Sequence, residues 1–164
     1  MTVHERIRKF NTRDTYPDQD LDNDLCQAVR AGNLVFLRGQ VGTDFSGNLV
    51  GGDDPAAQAR QAMSNVKQLL EEAGSEMAHV CKIVIYLVER EHRDAVYREI
   101  GVWFKDVYPV STGGYVAGLA KKEWLVEVDV TAVIPNRVWC TSGVESRPSR
   151  VCPKSTNVVS NPLI

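Results

Sequence analysis

Between Leu125 and Ile134 apolar and polar residues alternate. Val126, Val128 and Val130 fall on one face of an extended chain, and Leu125, Glu127, Asp129 and Thr131 on the other. The first face is built for a core. The second carries a carboxylate, Glu127, among apolar neighbours, and an acid so placed needs a partner, water or a task. The preceding run STGGYVAGL also reads as a strand, and its adjacent glycines mark a bend or a close approach by another molecule. Upstream, His4 to Asn11 forms a short strand candidate. Leu25 to Arg30 and Leu34 to Gln40 form a hairpin about the turn Ala31-Gly32-Asn33, in which Gly and Asn supply the positive-φ positions. Leu34, Phe36 and Arg38 share one face of the second hairpin strand while Val35 and Leu37 share the other, so this strand is expected at the centre of a sheet.

Helical spacing appears twice. Asp54-Pro55 supplies an N-cap acceptor and a first-turn proline, and Gly74 supplies a stop. Between them Ala59, Ala62, Met63, Val66, Leu69, Leu70 and Ala73 form one apolar stripe. His79 to Val88 is the most hydrophobic strand candidate. Asp94 to Val107 follows as a second amphipathic helix that Pro109 prevents from continuing. The stretch TRDTYPDQDLDND reads as a solvated acidic loop, and GTDFSGNLVGGDD as a loop with a reverse turn at Ser46-Gly47-Asn48. It has neither phosphate-binding glycine motif.

The chain has 164 residues, 43% of them hydrophobic, which suits one sizeable core. A net charge of −2, with basic residues scattered, argues against a nucleic-acid partner. No run of about 18 apolar residues occurs, so no membrane partner and a cytoplasmic location are expected. Cys26, Cys81, Cys140 and Cys152 show no metal-binding spacing with one another or with the three histidines, so no metal is expected. Cys26 and Cys81 sit in apolar runs and are expected to pack as small hydrophobes. Cys140 and Cys152 are expected to remain free thiols.

Two amphipathic helices can cover one side of one sheet, which gives a two-layer α+β architecture with a mixed sheet and an open face. Closure of that face by self-association, as a ring of three, would place ligand pockets between subunits.

The segments AGNLVFLRGQVG, PAAQARQAMSNVKQLLEEAG, HVCKIVIYLVE and YPVST…EVDVTAVIP, in this order, resemble the RidA (YjgF/YER057c/UK114) family from about Glu5 to Pro135. The resemblance implies a chorismate-mutase-like fold in residues 1–135, a homotrimer, and no metal or organic cofactor. It also implies, from the family's best-known branch, hydrolysis of enamines and imines to keto acids and ammonia. That branch's water-positioning acid falls on Glu127, and its serine-glycine-glutamine falls on Arg38-Gly39-Gln40. Its proline-alanine-arginine-serine segment falls on Pro109-Val110-Ser111-Thr112, so the carboxylate-binding arginine is replaced by Ser111. Its cysteine falls on Gly113 and its tyrosine on Leu25. Candidate site residues are therefore Glu127 as the catalytic, water-positioning base, with Arg38, Gly39, Ser111, Thr112, Gly113, Gly114 and Leu25 lining a substrate pocket.

Arg38 lies beside the pocket glycine and is a candidate replacement for the missing anion clamp, against the alternative of a solvated strand-end arginine. Gly113 and Gly114 would make room for a larger substrate, or one without a carboxylate, against the alternative of a bulge with no ligand. Glu127 is a base, or an acid bonded to backbone or to a neighbouring subunit. Two function classes follow: a cofactor-free imine or enamine deaminase, and a non-catalytic trimer that binds a small metabolite in the same cleft. Ribonuclease activity, which some family names imply, finds no basic groove or aromatic platform here. The tail 136–164 matches nothing in the family. Its Trp139, Val151, Val158 and Val159 are expected to lie against the surface of the assembly.

Overall fold

The computed structural model describes residues 4–135. The expected strands and both long helices are present: β1 (His4–Asn11), β2 (Asp24–Ala31), β3 (Leu34–Leu37), β4 (Gln40–Val41), α2 (Pro55–Glu72), β5 (Val80–Leu87), α3 (Arg93–Trp103), β6 (Val110–Tyr115) and β7 (Val126–Val133). The acidic stretch, expected to be an irregular loop, holds a helical turn, α1 (Thr12–Thr15). Asn11 caps it by accepting from the Arg13 N–H at 2.8 Å. Trp139, Cys140, Val151, Cys152, Val158 and Val159 lie outside the described residues.

The strands form a single sheet in the order β1-β2-β3-β7-β5-β6, with β4 also pairing with β7. All pairings are antiparallel except β5 with β6, which are joined by the α3 crossover that parallel neighbours require. Both long helices lie on one side. Val126, Val128, Val130 and Ala132 of β7 are buried there with Val35, Leu37, Ile83, Ile85 and Leu87, beneath Met63, Val66, Leu69 and Leu70 of α2 and Val96 and Ile100 of α3. On the other side Leu34 and Phe36 are 40% and 45% exposed. The sheet is thus mixed, two-layered and open on one face, as the periodicity predicts. No helix among the described residues is long and apolar enough to cross a membrane.

Local chemistry sets the boundaries. Asp54 accepts from the N–H groups of Ala56 and Ala57, Pro55 starts α2, and Gly74, at φ +80°, lets the chain leave it. In the β2–β3 turn only Gly32 takes a positive φ, +63°; Asn33 does not. Two expectations about cysteine packing need correction. Cys81 sits where the β5–β7 register slips between Val80 and Lys82, and the bulge turns it out to solvent. Cys26, near the start of β2, is half-buried.

Gln58, fully buried in the first turns of α2, joins three segments. Its amide donates to the carbonyls of Gly52 (2.6 Å) and Glu123 (2.8 Å), and its oxygen accepts from the Leu125 N–H (3.0 Å). Gly42 lies so close to it that a Cβ there would stand 2.6 Å from Gln58 Cγ. Gln58→Leu would strand these buried groups at about 1–3 kcal/mol for each that finds no water. The expected result is a melting temperature lower by roughly 5 °C or more, read by calorimetry.

Candidate functional site

The site begins where the second hairpin strand breaks. The sequence pattern runs it through Gln40, but the strand stops at Leu37, its pairing with β7 having ended at Phe36, and pairing resumes at Gln40, which faces Val128, and Val41, which faces Glu127. The gap is Arg38-Gly39, and Glu127 occupies it. A Cβ on Gly39 would overlap Glu127 Oε1 and stand 2.7 Å from its Cδ, so the carboxylate rests directly on the glycine backbone. Glu127 is half-buried, and its carboxylate has no hydrogen bond or ion pair among the described residues. Burial raises its pKa above the ordinary 4.5, the Arg38 charge partly offsets this, and Asp129 adds a smaller upward push. Asp129, next on the same face, is also raised by burial, with partial relief from Lys82.

Arg38 is half-buried rather than in bulk solvent. Its main-chain N–H donates to the Gln27 carbonyl, and its guanidinium donates to the Tyr16 hydroxyl at 2.7 Å. The guanidinium carbon lies 5.2 Å from the Phe10 ring centroid and 5.7 Å from that of Tyr16. Leu25, paired with Phe10 across the β1–β2 ladder, lines a surface groove with Phe10, Cys26 and Arg38. Arg38, Gly39 and Glu127 are thus brought together, with Leu25 flanking Arg38.

The β6 candidates divide between the two faces. Gly114 and Glu127 both pair with Tyr86, which places Gly114 two strand spacings from Glu127, about 10 Å. Thr112 pairs with Val84 on this same open face. Ser111 and Gly113 pair with the buried Ile83 and Ile85 and so lie on the helix side. At Gly113 the space of a side chain is taken by the Tyr97 hydroxyl, with Arg93 Nη1 3.4 Å from the Cβ position. Gly114 faces open space. The room expected over the glycine pair therefore exists at Gly114 and is filled from within at Gly113.

Four side chains that the pattern did not single out complete the surroundings. A cavity of about 150 Å³ is bounded by Tyr16, Gln27, Lys121 and Trp124 together with Arg38, Gly39 and Thr43. Trp124 is buried, donates its indole N–H to Thr43 Oγ1 at 2.9 Å, and meets the Tyr16 ring edge-on at 6.5 Å. Lys121 Nζ lies 5.7 Å from the Tyr16 centroid and 5.8 Å from that of Trp124. The available signal was an aromatic set within each of two charged loops, TRDTYPDQD and KKEWLVE.

Human 2-iminobutanoate/2-iminopropanoate deaminase is 31% identical to this chain over 108 residues, which span 65% of this chain and 77% of that protein. A RutC family protein from Pyrococcus horikoshii is 32% identical over 107 residues, 65% of this chain and 83% of the relative. Among solved structures, a YjgF/YER057c/UK114 family member from Mycobacterium tuberculosis matches with TM-score 0.64 and 25% identity, covering 79% of this chain and 98% of that one. RidA from an Antarctic Psychrobacter species matches with TM-score 0.62 and 30% identity, covering 66% and 87%. With residues 20–134 also matched by the family model described as Endoribonuclease L-PSP, the chain belongs to the YjgF/RidA family.

Proposed function

We propose that this protein hydrolyses a small imine or enamine to a carbonyl compound and ammonia, with Glu127 as the base that holds and activates water. The observation that carries this reading is a half-buried carboxylate seated on Gly39 with no partner among the described residues. Relatives named 2-iminobutanoate/2-iminopropanoate deaminase support it. In this reaction Glu127 takes a proton from water as the oxygen bonds to the imine carbon. The proton passes to nitrogen to give a carbinolamine, Glu127 then carries the hydroxyl proton to the amine, the carbon–nitrogen bond breaks, and ammonia leaves as the carbonyl forms. Arg38, fixed by Tyr16 and close enough to lower the Glu127 pKa, supplies the anion contact that Ser111 no longer provides.

The open face favours assembly. Leu25, Leu34, Phe36 and Val110 are exposed large apolar side chains, and a homotrimer that buries this face would bring the Gly114-bearing edge of one chain toward Glu127 of another. The second reading is a non-catalytic trimer that binds a metabolite in the same cleft. Serine at position 111 favours it.

Ammonia release from freshly generated 2-iminopropanoate distinguishes the two. Glu127→Gln is expected to lower the rate by about 10²–10⁴-fold, the usual worth of a positioned base. It should leave the melting temperature at pH 7 unchanged or higher: burial raises the folded pKa, so the ionised acid opposes folding as pH rises above 4.5. Gly39→Ala should lower the rate as well, by displacing the carboxylate. Unchanged rates in both variants would remove Glu127 as the base, and absence of ammonia release by wild type would leave the binding reading.

The acid limb of the pH–rate profile should lie above the ordinary carboxylate value of 4.5, because the base must be ionised and burial resists that. Arg38→Ala removes the one nearby positive charge that favours ionisation, so it should move the limb to higher pH.

Sedimentation should give three times the mass of one chain. Phe36→Glu, on the open face, should dissociate the assembly without unfolding the monomer. A wild-type monomer at micromolar concentration would defeat the proposed closure.

A further inference from the structure

We infer that the cleft at the far end of β7, between Arg30 and Glu76, is a second binding site, and that its ligand is a free α-amino acid bound as the zwitterion. The site is independent of the deaminase reading. Ile134 on its wall lies seven residues beyond Glu127, about 23 Å along an extended chain.

Four stretches of chain meet there. The β2–β3 turn supplies Asn33, the exit from α2 supplies Gly74 and Glu76, the approach to β5 supplies His79, and the end of β7 supplies Ile134, around a cleft of about 880 Å³. That volume falls within the range of small-molecule sites. The walls are tied to one another by the protein itself. The Ile134 N–H donates to the Asn33 carbonyl at 2.7 Å, the Ser75 hydroxyl donates to the Val133 carbonyl at 2.8 Å, and the Ser75 N–H donates to the Leu70 carbonyl at 2.8 Å. Walls held in this way spare a ligand the cost of ordering them.

Arg30 makes one wall positive. It is half-buried, and its guanidinium has no hydrogen bond or ion pair among the described residues. Glu5 stands opposite it across the β1–β2 ladder but forms no ion pair with it, and Arg30 Nη1 instead lies 3.6 Å from the place a Gly74 Cβ would take. A guanidinium partly withdrawn from water favours a carboxylate, which it can hold through two parallel N–H donors. The facing wall is negative. Glu76 is exposed there, with Oε1 3.4 Å from His79 Nε2, and the 18-residue α2 ends two residues before Gly74, so its negative pole falls on the same wall.

One wall thus favours an anion and the other a cation. A phosphate would bring its second charge against Glu76 and the helix end, and a simple amine would be repelled by Arg30. An α-amino acid satisfies both, with its carboxylate on Arg30 and its ammonium toward Glu76. Ile134 and Pro135 offer apolar surface to its side chain.

Three probes with one carbon skeleton separate the two charges: L-leucine, leucinamide, which lacks the carboxylate, and 4-methylpentanoate, which lacks the ammonium. In a titration of the full-length protein followed by amide NMR, L-leucine should bind at millimolar concentration and shift Asn33, Gly74 and Ser75. Each of the other two should bind about tenfold or more weakly, the scale of one charge-assisted contact. Arg30→Gln should weaken L-leucine to the level of leucinamide, and Arg30→Lys should restore part of the loss. Glu76→Gln, at an exposed position that tolerates the change, should weaken it to the level of 4-methylpentanoate. Arg98→Gln, on the exposed side of α3, should bind as wild type does. Absence of L-leucine binding at millimolar concentration, equal binding of the three probes, shifts confined to the Glu127 end of β7, unchanged affinity in Glu76→Gln, or an equal loss in Arg98→Gln would each overturn the assignment. Ammonia release is read in none of these titrations, so their outcome stands apart from that of the deaminase reading.

Discussion

In β7 a period of two must serve two environments. Alternate valines, from Val126 to Val130, lie beneath α2, and the residues between them are forced onto the other surface. Glu127 and Asp129 reach the open face because the pleat leaves them nowhere else. Both helices lie opposite, so among the described residues this face keeps its acids and its apolar side chains without cover. The hairpin break, the resting place of Glu127 and the surplus of exposed apolar surface all follow from that one-sidedness.

The cost of the arrangement is concentrated at Glu127. Partial burial with no side-chain hydrogen bond among the described residues disfavours the ionised form, and Arg38, whose Nη2 is committed to Tyr16, relieves only part of this. Proteins accept such local penalties where chemistry requires them and recover stability elsewhere. Here the recovery is visible nearby. The Gln58 amide fixes both the loop that precedes α2 and the approach to β7, and the Trp124 indole is tied to Thr43. The groups that define the cavity are held by bonds that are themselves shielded from solvent.

Much of the fold was legible because its signals are local. Asp54-Pro55 and Gly74 bracket α2, and the valine alternation of β7 assigns its faces without reference to any other segment. The candidate site's geometry was legible only at Glu127 and the Arg38-Gly39 pair, which the fold brings together. Tyr16 and Trp124 meet across more than a hundred residues of chain, and nothing in either loop encodes the encounter. Gly113 misled for a similar reason: an absent side chain reads as empty space, whereas Tyr97 from α3 fills it. Cys81 followed its apolar neighbours in the pattern, but a one-residue register slip, invisible to periodicity, sent it to the surface.

The contact between Gly39 and Glu127 also bears on how such a sequence can drift. Any side chain at position 39 competes for the volume of the carboxylate at position 127, so neither position can change freely while the other keeps its residue. A descendant that gained alanine or serine at 39 would have to shorten or redirect the acid. Position 39, chemically silent itself, thereby sets the room at position 127: once it carries a side chain, the carboxylate can no longer rest where it does.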